Sequence, residues 1–254
     1  MITVVIPVYN EEKALPVTLE ALFAQAGEFE TILVDGGSTD RTRAIAETFG
    51  FTDQNADDGG ASSLASGCPS GASRDTRQAS RVALTAPKGR ASQMNAGARH
   101  AKGEWLLFLH ADTLLPAGAI QRLNEMETDP TIQAGGFMHQ FSGDDWRLRC
   151  ISFLDNFRCT RSRIIYGDQA LFVRRSLFER LGGFPSQPIL EDVTFCERLI
   201  KVTEPLLLFP PVITDARKFL KMGVWRCFLR VLLIILHVEY RLPVLPRVFF
   251  QDIR

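Results

Sequence analysis

Short apolar runs rich in β-branched residues alternate, along the first half of the chain, with segments whose apolar positions recur at helical spacing. The runs ITVVIPV (2–8), ETILVDGG (30–37), RVALTA (81–86) and EWLLFLHA (104–111) predict strands. Between them, EKALPVTLEALFAQ (12–25), STDRTRAIAETFG (38–50) and GRASQMNAGARHAKG (89–103) predict helices, the second closed by Gly50. A fourth helix is expected in PAGAIQRLNEME (116–127), with Pro116 in its first turn. Strand and helix in strict alternation imply parallel strands joined by crossover helices, an α/β open sheet with helices on both faces.

The second half is less regular. QAGGFMHQFSG (133–143) and PLLLFPPVIT (205–214) read as strands, and 146–163 and ILEDVTFCERLIKV (189–202) as helices. YGDQALFVRRSLFERLGGFP (166–185) reads as a strand, a short helix and a Gly-Gly turn. Residues 52–80 break the rhythm. Asp, Gly, Ser, Ala and Gln dominate there, and a segment so poor in hydrophobes is expected to be a flexible surface insertion without a catalytic part. Domain bounds of 1–215 and a helical tail of 216–254 follow.

Composition narrows the function classes. Lys+Arg and Asp+Glu both total 29, so there is no global positive field to grip nucleic acid. The five cysteines show no Cys-x-x-Cys spacing, which excludes a zinc ribbon and fits reduced thiols in a cytoplasmic protein. Met1 leads directly into the first strand with no secretory leader, and no uncharged run approaches the roughly 18 residues of a spanning helix.

Ligands of an open parallel sheet bind beyond the carboxyl ends of its strands. The segments leaving those ends are PVYNEE, DGGSTD, APKGRA and HADT. Neither Gly-x-Gly-x-x-Gly nor Gly-x-x-x-x-Gly-Lys-Ser/Thr occurs, so a dinucleotide fingerprint and a P-loop are both missing. The Gly-rich loop ending in Arg of sugar nucleotidyltransferases is missing too. Asp35 follows the apolar run ILV and so stands at a strand tip, where a carboxylate can accept a nucleobase N–H or cap the helix that follows. Arg90 and Asn95 lie on the helix that starts after Gly89, whose free N–H groups and dipole favour an anion; a solvated surface Arg90 is the alternative.

VVIPVYNEE (4–12), ILVDGGSTDRT (32–42), KGRASQMNAGARHAKGEWLLFLHADT (88–113) and LEDVTFCERL (190–199) occur in order and spacing that resemble family 2 glycosyltransferases. The resemblance covers roughly residues 1–210, apart from the insertion. It implies a GT-A fold, a nucleotide-diphospho-sugar donor, a divalent cation (Mg²⁺ or Mn²⁺) and inversion at the anomeric carbon. By the same resemblance Asp35 recognises the base, with Pro7, Val8, Tyr9, Glu11 and Gly36 lining its pocket. Arg90, Asn95, His110 and Ala111 would complete the nucleotide site. Asp112 would ligate the metal.

The family motif is Asp-x-Asp, whereas this chain has His110-Ala111-Asp112. One carboxylate can still suffice for Mg²⁺ when substrate phosphates fill the other positions, and an imidazole in the first place can either hydrogen-bond a hydroxyl or favour a softer ion such as Mn²⁺. Glu191-Asp192 opens a predicted helix, where acidic residues are favoured by the dipole alone. In the family this pair faces the donor, Asp192 taking the acceptor proton and Glu191 orienting substrate. Gly167, Asp168 and Gln169 are expected on the acceptor side.

The Gln-x-x-Arg-Trp motif of processive synthases is missing, and GVWRCF (223–228) resembles it only superficially, so one transfer per binding event is expected. The alternatives are a binding protein that has lost turnover, with His110 as the sign of it, or a nucleotidyltransferase on a similar fold. The tail from Lys218 to His237 alternates Trp225, Phe228, Leu229, Leu232 and Leu236 with Lys and Arg. Such a helix either lies in a membrane interface on the inner face, suiting a lipid-linked acceptor, or packs on its own domain or a second subunit.

Overall fold

The computed structural model describes residues 1–54, 80–187 and 189–238. Of the expected insertion, only 52–54 and 80 are among them. The elements run β1 (Ile2–Val8), α1 (Leu15–Phe23), β2 (Phe29–Asp35), α2 (Thr42–Thr48), β3 (Thr52–Asp53), β4 (Arg81–Thr85), α3 (Arg90–His100), β5 (Trp105–Phe108), β6 (Thr113–Leu114) and α4 (Ala119–Met126). Then follow β7 (Ala134–Phe141), α5 (Trp146–Ser162), β8 (Phe172–Arg174), α6 (Arg175–Arg180), α7 (Glu191–Leu199), β9 (Leu206–Thr214), α8 (Arg217–Met222) and α9 (Val224–Val238).

The strands form one sheet in the order β3-β4-β2-β1-β5-β8-β7-β9-β6. The alternating first half gives the parallel block, in which β1 pairs with β2 and β5 and β4 pairs with β2 and β3. Every residue of β1 and β2 is buried, as expected of strands covered by helices on both faces. The second half interrupts that pattern. β8 runs antiparallel to both β5 and β7, whereas β7 and β9 are parallel.

Two elements differ from the sequence reading. Thr113 and Leu114 pair antiparallel with Thr214 and Ile213, so the chain after HAD first makes a short strand. The helix then starts at Ala119, after Gly118 in the left-handed region (φ 75°), and not at Pro116. The tail is two helices because Gly223 (φ 91°) breaks it. Pro16, in contrast, causes no break: it lies in the first turn of α1, where its missing N–H has no partner to lose.

α3 lies unusually close to the sheet. A Cβ on Gly97 would come within 2.4 Å of Val5 Cγ1, so only glycine permits the contact. On this helix buried Gln93 donates to the carbonyls of Val8 (2.7 Å) and Val34 (2.8 Å), at the very ends of β1 and β2. Gln93 thus ties the carboxyl ends of the two neighbouring strands to α3, sharing the Val8 carbonyl with the Gly36 amide.

The described part of the tail packs on the domain. Phe219 and Phe228 lean on a cluster of Phe141, Leu148, Ile151, Ala216 and Val224, with the Phe219 and Phe141 rings 4.5 Å apart.

Candidate active site

The carboxyl edge of the parallel block is tied together by loop-to-loop hydrogen bonds. The Asn10 amide donates to Ser38 (3.0 Å), the Glu11 amide to Thr42 (2.9 Å) and the Glu12 amide to Asp40 (3.1 Å). Asp35 is buried beneath them. Its Oδ1 accepts from the Ser38 amide (2.9 Å) and hydroxyl (2.6 Å), which is a turn-capping role. Its Oδ2 makes no hydrogen bond and has the Arg43 guanidinium at 3.4 Å. One oxygen therefore builds the loop and the other is left for a donor group. Gly36 donates to the Val8 carbonyl (2.9 Å), and a Cβ there would press on Gln93. Pro7 and Val8 are buried in the strand end, while Tyr9 is partly exposed with the Lys88 ammonium 3.8 Å over its ring.

The His110-Ala111-Asp112 segment sits between two cavities. His110 lines one of about 230 Å³ and Asp112 lines another of about 560 Å³. Buried Ala111 anchors the segment, its carbonyl accepting from the Thr18 hydroxyl of α1 at 2.6 Å. The larger cavity places Asp112 and Glu11 among the cations Lys13, Arg217 and Lys221. Asp215 is also on its wall, its amide donating to the Asp112 carbonyl (3.0 Å). Asp40 and Asp215 are engaged by Thr42 and Arg217 respectively.

No cluster of three or more metal-binding side chains occurs among the described residues. Asp112, with Glu11 and Glu12 on the same cavity and Lys13 and Lys221 nearby, fits a divalent ion whose remaining oxygens come from a diphosphate. It does not fit an ion held by protein alone.

In the smaller cavity, Asp192 stands at the start of α7. Its Oδ1 accepts from the Val193 amide (2.8 Å) and its Oδ2 from the Gly167 amide (2.6 Å). Gly167 belongs to a 3-10 turn, Gly167–Gln169, and meets His110 as well: a Cβ there would lie 2.6 Å from His110 Cε1 and 3.3 Å from Asp192 Oδ2. Thus HAD, the YGDQ turn and the ED helix start converge on one glycine. Glu191 is buried behind Asp192, with Arg90 Nε 3.3 Å from its Oε1. Burial raises the Glu191 pKa, opposed by Arg90 and reinforced by Asp192. Arg90 reaches this cavity and not the larger one.

Asn95 and Gln169 are both held by backbone groups. Asn95 exchanges two hydrogen bonds with the Phe184 backbone (2.8 and 3.0 Å) and so clamps the Gly-Gly turn to α3. Gln169 is fully buried, accepting from the Tyr166 amide (2.9 Å) and donating to the Phe137 carbonyl (3.4 Å). Both side chains position the site without facing it.

Sequence reasoning missed His139 and Asp155, which line the smaller cavity beside Asp168. The one available signal was a histidine at an inward position of an otherwise apolar strand. Asp168 Oδ2 lies 3.6 Å from His139 Nε2. Burial raises the Asp168 pKa; His139 opposes the shift, and Asp155 and Asp192 add to it. Buried Cys159 and Cys196 are inert thiols. Burial pushes Cys159 up to about 11 and raises Cys196 too, so neither supplies a thiolate.

A mostly parallel sheet with acidic groups beyond the carboxyl ends of β2 and β5 and at the start of α7 is an architecture of the GT-A type. Comparison with known sequences places the chain in a family: it belongs to glycosyl transferase family 2, whose profile matches residues 3–62 and 71–182.

It is 30% identical over 194 residues to a PGL/p-HBAD biosynthesis glycosyltransferase of Mycobacterium tuberculosis, covering 72% of this chain and 63% of the relative. It is also 30% identical over 189 residues to an undecaprenyl-phosphate 4-deoxy-4-formamido-L-arabinose transferase of Pseudomonas aeruginosa, covering 71% and 49%. The chain thus spans less than two thirds of either relative. Among solved structures, the mannosyltransferase PcManGT of Pyrobaculum calidifontis, in complex with GDP-Man and Mn²⁺, shares the fold with a TM-score of 0.62 at 22% identity, covering 98% of this chain and 67% of that one. TarS 1-349 of S. aureus, in complex with UDP-GlcNAc, does so with 0.60 at 17%, covering 85% and 58%.

Proposed function

We propose that this chain is an inverting glycosyltransferase that moves a sugar from a nucleoside-diphosphate donor to an acceptor hydroxyl. The observation that carries the proposal is the placement of Asp192: two backbone amides fix its carboxylate in a cavity whose other wall is His110, two residues from Asp112. Donor diphosphate occupies the Asp112 side, where Lys13 and Lys221 would balance its charge. Asp35 and Tyr9 receive the base.

The acceptor enters on the Asp192 side. Its oxygen bonds to the anomeric carbon from the face opposite the diphosphate while the anomeric C–O bond to phosphate breaks. The proton passes to Asp192 and the electron pair leaves with the diphosphate. Mg²⁺ or Mn²⁺, held by Asp112 and the donor phosphates, would stabilise the charge developing on that leaving group. Glu191, paired with Arg90, supports Asp192 from behind. The imidazole of His110 takes the place of a carboxylate and would hydrogen-bond a donor hydroxyl.

A second part of the proposal concerns where the acceptor comes from. Trp146, Phe153, Leu154 and Phe157 on α5 are exposed together with Trp225 and Leu229 on α9, the two tryptophan rings 6.3 Å apart. Exposed Arg149 and Arg161 on α5 and exposed Arg226 on α9 share these helices, Arg161 standing 5.7 Å over the Phe157 ring. A large apolar patch rimmed by cations suits the interface of an anionic membrane. The described residues contain no helix long and apolar enough to cross one. α5 also lines the smaller cavity from within through Ile151 and Asp155, beside Phe219 of α8, so a lipid-borne acceptor would arrive beside Asp192. The decisive experiment is to measure metal-dependent binding and turnover over a panel of nucleotide sugars. Binding without turnover in every case, with lipid and soluble acceptors supplied, would leave only a binding protein.

A further inference from the structure

The smaller cavity holds polar atoms that the folded chain does not satisfy. Both ring nitrogens of His139, Asp155 Oδ2 and Asp168 Oδ1 are buried and make no hydrogen bond. His139 is only 2% exposed. Its backbone is pinned on both sides by Asn156, whose amide accepts from the His139 N–H (2.8 Å) and donates to its carbonyl (2.9 Å). Phe141 stands edge-on to its ring at 4.5 Å. Burying such groups unpaired is unfavourable. Their concentration at one cavity wall marks a place where a ligand completes the bonding.

The mixture of groups identifies the chemistry. Carboxylate oxygens only accept, whereas a neutral imidazole offers one donor and one acceptor. A phosphate or carboxylate ligand brings only acceptors, would leave Asp155 and Asp168 unmet, and would be repelled by them and by Asp192. An ammonium brings only donors and would leave the imidazole N–H unmet. A hydroxyl both donates and accepts. Phe141, Ile151 and Phe219 on the same cavity supply apolar surface for the C–H faces of a polyol.

We infer that His139, Asp155 and Asp168 form the recognition end of the acceptor subsite and select an uncharged, polyhydroxylated group in preference to a phosphate. This rests on the reading that Asp192 faces the acceptor. One further hydroxyl of that group is then presented to Asp192, and Arg158, which pairs with Asp155 Oδ1 at 2.9 Å, holds the remaining charge of that carboxylate in balance.

The test is an NMR titration of the histidine ring protons. The chain has four histidines, so His139→Phe assigns the resonance of interest. The full chain, with and without Mn²⁺ and the nucleoside diphosphate it binds best, is titrated with methyl α-D-glucoside, inorganic phosphate and methylammonium. Saturable movement of the His139 signal by the glucoside alone, weakened about tenfold to a hundredfold in Asp168→Asn, is the expected result. Movement by phosphate or methylammonium instead, or by none of the three, overturns the inference. So does an undiminished response in both Asp168→Asn and Asp155→Asn. Nucleoside diphosphate binding, recorded on the same samples, separates this failure from failure of the glycosyltransferase reading.

Discussion

The backbone amide of Gly167 donates to Asp192 across 2.6 Å, while the ring of His110 lies where a side chain on Gly167 would have to be. Three sequence segments far apart in the chain are thereby locked to one another at the proposed reaction centre. A glycine in this turn is required by crowding, because the backbone there is otherwise ordinary. Gly167→Ala should push His110 and Asp192 apart, lowering kcat for transfer while leaving the Kd for nucleoside diphosphate close to that of the parent. Steady-state kinetics paired with calorimetry reads both quantities.

Asp192→Asn keeps the shape but cannot take a proton. Transfer should fall by about a hundredfold to ten-thousandfold, the range for loss of a general base. Nucleotide affinity should hold. Full activity in this variant would remove Asp192 from the mechanism, and sugar-transfer assays with the best donor decide it.

In the proposed mechanism Asp112 serves the donor. Asp112→Ala should weaken Mn²⁺-dependent binding of the nucleoside diphosphate by roughly tenfold to a hundredfold, as expected for a charge-assisted contact. Binding measured in EDTA should change little. Equal losses with and without metal would show that Asp112 contacts the nucleotide directly.

The raised pKa of Asp168 makes a stability prediction with a definite sign. Folding binds its proton more tightly than unfolding does, so its favourable contribution is complete below the ordinary carboxylate value of about 4. That contribution is lost as pH rises through the elevated folded value. Asp168→Asn should therefore flatten the fall in Tm above the carboxylate range and be relatively more stable at neutral pH. Thermal melts from acidic to neutral pH test this directly. An unaltered pH profile would mean that the carboxylate is solvated in the folded protein.

The outer face of α5 and α9 predicts selective membrane binding. The parent chain should float with vesicles of phosphatidylcholine and phosphatidylglycerol, less with phosphatidylcholine alone, and Phe153→Glu with Trp225→Glu should abolish flotation. If the parent forms a dimer that the double variant dissolves, and neither floats, the patch joins two copies of the chain instead.

Much of this architecture was legible because it is local. β1, β2, β4 and β5 announce themselves as β-branched runs, and Asp35, Asp112 and Asp192 stand where such runs or a helix start end. The contacts that distinguish one polar residue from another are long-range and leave no such trace. Asn95 reads as a helix-start residue near an anion site, yet its partner is Phe184, whose approach depends on the Gly-Gly turn and an aromatic group of Phe108, Phe178 and Phe195 packed around it. Likewise β6 spans two residues and exists only because β9 returns alongside it. His139 and Asp155 meet Asp168 from three different elements, a proximity that no spacing in the sequence encodes.

The clamp by Asn95 and the ion pair of Arg90 with Glu191 fix two points of the segment 184–191 to a single helix. Phe184 and Glu191 are thus both anchored on α3, at residues five apart. Ile189 and Leu190, beside the second anchor, line the smaller cavity. Asp192 is held separately, by the Val193 and Gly167 amides, so substitutions at those two apolar positions should recast the cavity wall without moving its carboxylate. Under the proposed mechanism, the outline that meets the acceptor can therefore vary independently of the group that takes its proton.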